Sequence, residues 1–186
     1  MRFLIRLKAV KLPRSRLLET VRTVGRTFGV DPRNPKWTSY GALELDIFAP
    51  TDADYGLFVA AVSPLADFEF SKDLGEVPHH APEPELFAEA RQLFNHERYW
   101  ECHEILEGMW RIKQGGEKRL LQGMILVCAG FVHHQKGEDE VGLGVLRRSE
   151  PLMELADGNY GGLDIARLKH NVRKTLLTGR FVNFRV

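Results

Sequence analysis

Residues 99–111, Tyr-Trp-Glu-Cys-His-Glu-Ile-Leu-Glu-Gly-Met-Trp-Arg, bring together the side chains best suited to chemistry. His103, Glu107 and Trp110 stand at i, i+4 and i+7. On a helix turning about 100° per residue, with His103 at zero, Glu107 falls near 40°, Trp110 near −20°, Tyr99 near −40° and Leu106 near −60°. The imidazole and the carboxylate are therefore expected inside an apolar stripe beside large aromatics. Burying such a pair is costly unless it is paired, hydrogen-bonded or ligating a metal.

A second stripe is expected downstream. With His133 at the origin, Leu126, Ala129 and Gln122 all fall within about 40° of it, while His134 points about 100° away. The short Lys113–Gly116 turn favours antiparallel packing of the two helices. His103, Glu107 and one of His133 and His134 are then expected to converge in the bundle interior. Two histidines and a carboxylate suit a divalent metal (Zn, Mn, Fe or Ni), with open positions for water or substrate. Glu104, about 100° round from His103, is a candidate base or supporting group. Gln122 could orient a ligand, Arg111 could pair with a carboxylate or an anionic substrate, and Trp100 and Trp110 could wall the pocket. The alternative is a structural polar cluster in which His103 and Glu107 bond each other. The string His-Glu-Ile-Leu-Glu has glutamate where the HExxH metalloprotease motif has its second histidine, so that match is weak.

The elements that must position these residues read as two parts. The first alternates Phe3, Ile5 and Leu7 with Arg2, Arg6 and Lys8, a half-buried strand over 2–9. A helix follows from about Ser15 to Phe28, stopped by Gly29. Asp31-Pro-Arg-Asn-Pro35 reads as a loop by its prolines, and 37–48 as strand, broken into a hairpin at Tyr40-Gly41. A helix over about 52–65, capped by Thr51 or Asp52, and a strand over 67–71 complete a ferredoxin-like split βαβ module over residues 1–72. Residues 73–84, rich in proline and holding His79-His80, read as a linker. From Glu85 onward every pattern is helical: 85–95, 97–112, 117–135, 139–155 with Pro151 as a break or new first turn, and 163–177. Gly158–Gly162 is expected as loop, and Asn95 as a cap for the second of these helices. The fold class is α+β, a small α/β module followed by an all-α bundle over 85–186.

The 186 residues suffice for one medium domain or two small ones. No apolar run reaches the roughly 18 residues of a membrane span, and the charged N-terminus lacks a signal-peptide core, so a cytoplasmic protein without membrane attachment is expected. Cys102 and Cys128 belong to no CxxC motif and read as small core residues. Residues 1–36 carry ten Lys or Arg against two acids, and the remainder sixteen against twenty-three. Such asymmetry can mark an acidic partner or attraction between parts of one chain.

Residues 94–111, then Leu120-Leu-Gln-Gly-Met-Ile125, then His133-His134 and Gly137, resemble domain-of-unknown-function family 309. The resemblance covers about residues 84–155 and rests on an HxxxExxW helix followed by Gln-Gly and a downstream histidine. It implies an all-helical domain whose signature has been suggested to bind metal, with His103, Glu107 and Trp110 matching residue by residue. It leaves open which of His133 and His134 is the family histidine.

Two functions follow. The leading one is a metal site at His103, Glu107 and His133 or His134 performing metal-assisted hydrolysis of a small molecule, with self-association allowed. The other is a non-catalytic binding or scaffold protein. Its basic residues Lys8, Lys11, Arg14, Arg16, Arg22 and Arg26, with Trp37 and Tyr40, would meet an acidic partner or RNA. No RNP-like Gly/aromatic string supports it, so nucleic acid is disfavoured.

Overall fold

The computed structural model describes residues 1–8, 12–75 and 81–186. Lys11 and the His79-His80 pair lie outside the described residues. The chain divides into two compact units, Met1–Pro78 and His79–Val186.

The N-terminal unit runs β1 (Arg2–Lys8), α1 (Arg14–Thr27), β2 (Asp31–Trp37), β3 (Leu43–Phe48), α2 (Asp52–Val62) and β4 (Asp67–Asp73). Its antiparallel sheet has the order β2-β3-β1-β4, as a ferredoxin-like split βαβ module requires. Thr51 caps α2 by accepting the backbone N–H of Asp54. Phe3, Ile5, Leu7, Leu43, Leu45 and Ile47 face Leu17 and Val21 of α1 and Phe58 and Val62 of α2 in one apolar cluster.

Two expectations fail here. The proline-rich stretch Asp31–Pro35 belongs to β2 instead of a loop. β2 is an edge strand, where proline's missing N–H costs least, and the register slips between Arg33 and Lys36. Nor is β1 half-buried, since Phe3 to Leu7 are all buried. Its second face succeeds by pairing charge. Glu44 stands opposite Arg6 on β1 and Lys36 on β2. Its oxygens accept from Arg6 at 2.8 Å and meet Lys36 Nζ at 3.0 Å.

The C-terminal unit runs α3 (Glu83–Asn95), α4 (Tyr99–Ile112), α5 (Gly115–Gln135), α6 (Asp139–Met153), β5 (Asn159–Tyr160), β6 (Leu163–Asp164) and α7 (Ile165–Thr178). α5 is central, with Leu121, Val127, Cys128 and Phe131 almost fully buried between α4 and α6. Gly130 lets α6 close on it: a Cβ there would lie 2.8 Å from the side chain of Leu146.

The expectation of helix alone beyond residue 85 is also corrected. Residues 158–162 are not simply loop, because β5 and β6 form a two-residue hairpin. Gly161 and Gly162 turn it with φ of 60° and 86°, and a Cβ on Gly161 would collide with the Phe87 ring. Pro151 does not break α6; it sits in the last turn, where one lost bond is tolerable. Asn95 does not cap α4, which starts two residues later than expected, after Glu97 at φ 57°. Its side chain instead holds the backbone of Val186, accepting from N–H at 2.9 Å. Phe181, Phe184 and Val186 thereby pack on the helical core.

Candidate metal centre

α4 positions the candidate donor set. Its buried stripe is Tyr99, Cys102, Leu106 and Met109, centred about 80° from His103 on the helical wheel. His103 and Glu107 therefore stand on the rim of the buried face and not in the interior. Their side chains are 26% and 33% exposed. Trp100 and Trp110, expected as pocket walls in the core, are likewise half-buried. Lys118 Nζ of α5 sits 4.4 Å from the Trp110 ring centroid.

His103, Glu104 and Glu107 each present one ligating atom, all within 4.8 Å of one another. Nδ1 of His103 is 3.3 Å from Oε1 of Glu104. Glu104, expected as a base or supporting group, thus joins the donor set itself. Arg111, one turn beyond Glu107, donates from Nη2 to Glu107 Oε1 at 2.8 Å. That bond, with the charges of Arg111 and His103, holds the Glu107 carboxyl below the usual range although burial opposes it. The arrangement therefore keeps an ionised carboxylate beside an imidazole at the edge of solvent.

The convergence of His133 or His134 on this set is not what the structure shows. Cys128 packs against Cys102 and Lys118 against Trp110, so α4 and α5 are antiparallel and the level of His103 corresponds to about residue 126. His133 lies seven residues further along, an axial offset of about 10 Å. The two histidines pair elsewhere: Nδ1 of His133 with Glu138 at 2.6 Å, and Nδ1 of His134 with Asp139 at 2.7 Å. The His134 ring also stacks on Phe181, centroids 4.5 Å apart. By the same register Gln122 falls near the level of Glu107, on the half-buried face of α5.

In the N-terminal unit Arg14, Arg16, Arg22 and Arg26 are exposed along α1. The expected aromatic partners for an acidic ligand are already engaged. Arg14 lies 4.9 Å from the Trp37 ring centroid, and Tyr40 accepts a hydrogen bond from Arg6 at 2.8 Å. Among the described residues no helix is long and apolar enough to cross a membrane.

The fold and site define a helical unit with a His/Glu/Glu donor set on the rim of one helix, preceded by a small α/β unit. Residues 87–145 match the model of a family described as Domain of unknown function (DUF309), and this stretch of the chain belongs to that family. An uncharacterized protein from Aquifex aeolicus (strain VF5) is 24% identical over 102 residues. The match takes in 54% of this chain and 31% of that protein, so the chain spans about a third of that relative's length. A conserved hypothetical protein from Thermus thermophilus, known as a crystal structure, is 37% identical. That match covers 48% of this chain and 94% of the other, with a TM-score of 0.44.

Proposed function

We propose that the helical unit binds one divalent transition metal at His103, Glu104 and Glu107. The observation that carries this reading is the meeting of three donor atoms within 4.8 Å on a single helix rim. One imidazole nitrogen and two carboxylate oxygens suit Zn, Mn, Fe or Ni. Ligands about 2.1 Å from a shared ion lie about 3–4 Å apart, so the set needs to close by about 1 Å. Side-chain rotation supplies that, once Arg111 releases Glu107. All three donors come from one helix at the edge of solvent, which leaves positions on the open side for water and substrate. A metal held there would supply Lewis-acid polarisation of water or a substrate oxygen, the chemistry of small-molecule hydrolysis. The chain's own part is to keep Glu107 ionised, to orient His103 through Glu104, and to offer Arg111 to an anionic group.

A structural reading has its own support, since Glu107–Arg111 and His103–Glu104 already satisfy one another. The two separate on direct binding. Metal-stripped protein titrated calorimetrically with Zn, Mn, Fe or Ni salts should bind one ion per chain, and His103→Ala should not bind. Failure of the wild type to take up any of the four metals would leave the structural cluster standing.

A further inference from the structure

The strongest unassigned chemistry lies in the core of the helical unit. Cys102 on α4 and Cys128 on α5 are free thiols, both buried, and Cys128 Sγ donates to Cys102 Sγ across 3.5 Å. They come from adjacent antiparallel helices and face each other directly. Bond formation needs the sulfurs to approach by about 1.5 Å, a movement that small side-chain rotations and a slight closing of the helices can provide. A cavity of about 10 Å³, lined by both cysteines with Leu106, Met124, Leu168 and Val186 among its walls, gives room for one water-sized molecule beside them. Aliphatic packing alone does not require two thiols at one contact, because alanine or valine would fill it equally well.

We propose that Cys102 and Cys128 are a site of reversible oxidation, forming a disulfide that ties the ligand-bearing helix α4 to the central helix α5. The oxidant is a small peroxide. One sulfur attacks the O–O bond of hydrogen peroxide, takes up one oxygen as a sulfenic acid, and releases water. The second sulfur attacks that sulfur, the S–S bond forms, and the hydroxyl departs as water with the second thiol's proton. Two thiols lose two electrons and two protons, and one peroxide becomes two waters. The contact with Cys128, together with burial, favours the less reactive protonated thiol at Cys102, so the reaction is slow and selects a small oxidant over a bulky disulfide. A dithiol reverses it by exchange through a mixed disulfide as the helices open. The inference concerns the core contact and does not rest on the metal reading.

Dilute full-length protein, incubated with hydrogen peroxide while its far-ultraviolet circular dichroism stays native, should lose 2 Da. After denaturation neither thiol should take up N-ethylmaleimide. Peptide mapping without reductant should join the Cys102 and Cys128 peptides, and dithiothreitol should restore two alkylatable thiols. Cys102→Ser and Cys128→Ser should each abolish the 2 Da loss. The mapping of wild type decides the matter even if a serine variant fails to fold. Two thiols still alkylatable after prolonged peroxide, separate sulfinic acids, or disulfides only between chains would each overturn the proposal.

Discussion

In the sheet of the N-terminal unit, Glu44 stands between Arg6 and Lys36 with 4% of its side chain exposed. On α4, Glu107 meets Arg111, whose own side chain is 69% exposed, and a third of Glu107 is in solvent. Both pair a glutamate with arginine, yet the surroundings set them apart. A carboxylate fixed by register between two buried cations cannot exchange them without leaving charge unpaired in a low-dielectric interior. A carboxylate held by one exposed guanidinium at the surface gives up little when the partner leaves. Burial makes the first set architectural, and exposure makes the second set available to a ligand.

The largest expected effect therefore lies away from the candidate site. Glu44→Gln, which takes a countercharge from both Arg6 and Lys36, should cost about 3 kcal/mol of stability, measured by urea unfolding. A cost under about 0.5 kcal/mol, in the range of exposed ion pairs, would erase the contrast between the two regions. Next comes Gly130→Ala, whose Cβ meets Leu146 at 2.8 Å. It should destabilise the helical unit by about 2 kcal/mol and leave the sheet intact, as thermal unfolding followed by near- and far-ultraviolet dichroism can report.

A smaller effect is pH-dependent. Burial alone would raise the Asp46 carboxyl, but hydrogen bonds from Arg2 and Asn34 and the charges of Lys36 and Arg2 outweigh it and leave it below 3.8. A depressed folded value means that the stabilisation is present above the unfolded value and lost as pH falls through the folded one. Wild type should lose this stability below about pH 4, and Asp46→Asn should show a shallower acid limb in denaturation curves taken between about pH 2 and 5. The smallest effect is at the rim. Arg111→Ala removes a competitor for Glu107, so metal should bind a few-fold tighter by calorimetry with little change in melting temperature. A large loss of stability there would mean that the rim cluster is as structural as the sheet network.

Much of this architecture is legible in the residues, and the failures share a cause. The order of strands and helices follows from period-two runs, caps and turn residues within each segment. Glu107 follows His103 at i+4, so their shared face needs only helical geometry. The depth of that face is another matter. Trp110 suggests burial, but Cys102 and Met109 draw the packed stripe about 80° away, a choice made by α5 and not by α4 alone. Residues 31–35 form strand because β2 lies at a sheet edge, which no local pattern announces. Likewise, Arg6 is buried because Glu44 faces it from β3, and Cys102 meets Cys128, 26 residues away in sequence, through the register of two adjacent helices. The offset of His133, about 10 Å along the helix, comes from that same register. Local spacing thus identifies candidate residues, while packing between elements decides which of them meet.

Metal binding by the folded α4 rim is read in thermal unfolding. A metal that binds only the folded chain raises its melting temperature by mass action. Wild type and His103→Ala should each be melted with saturating metal and again with EDTA. Metal-saturated wild type should melt at a higher temperature than stripped wild type, and the His103→Ala curves should superimpose. Superimposable wild-type curves at saturating metal would contradict metal binding at the rim.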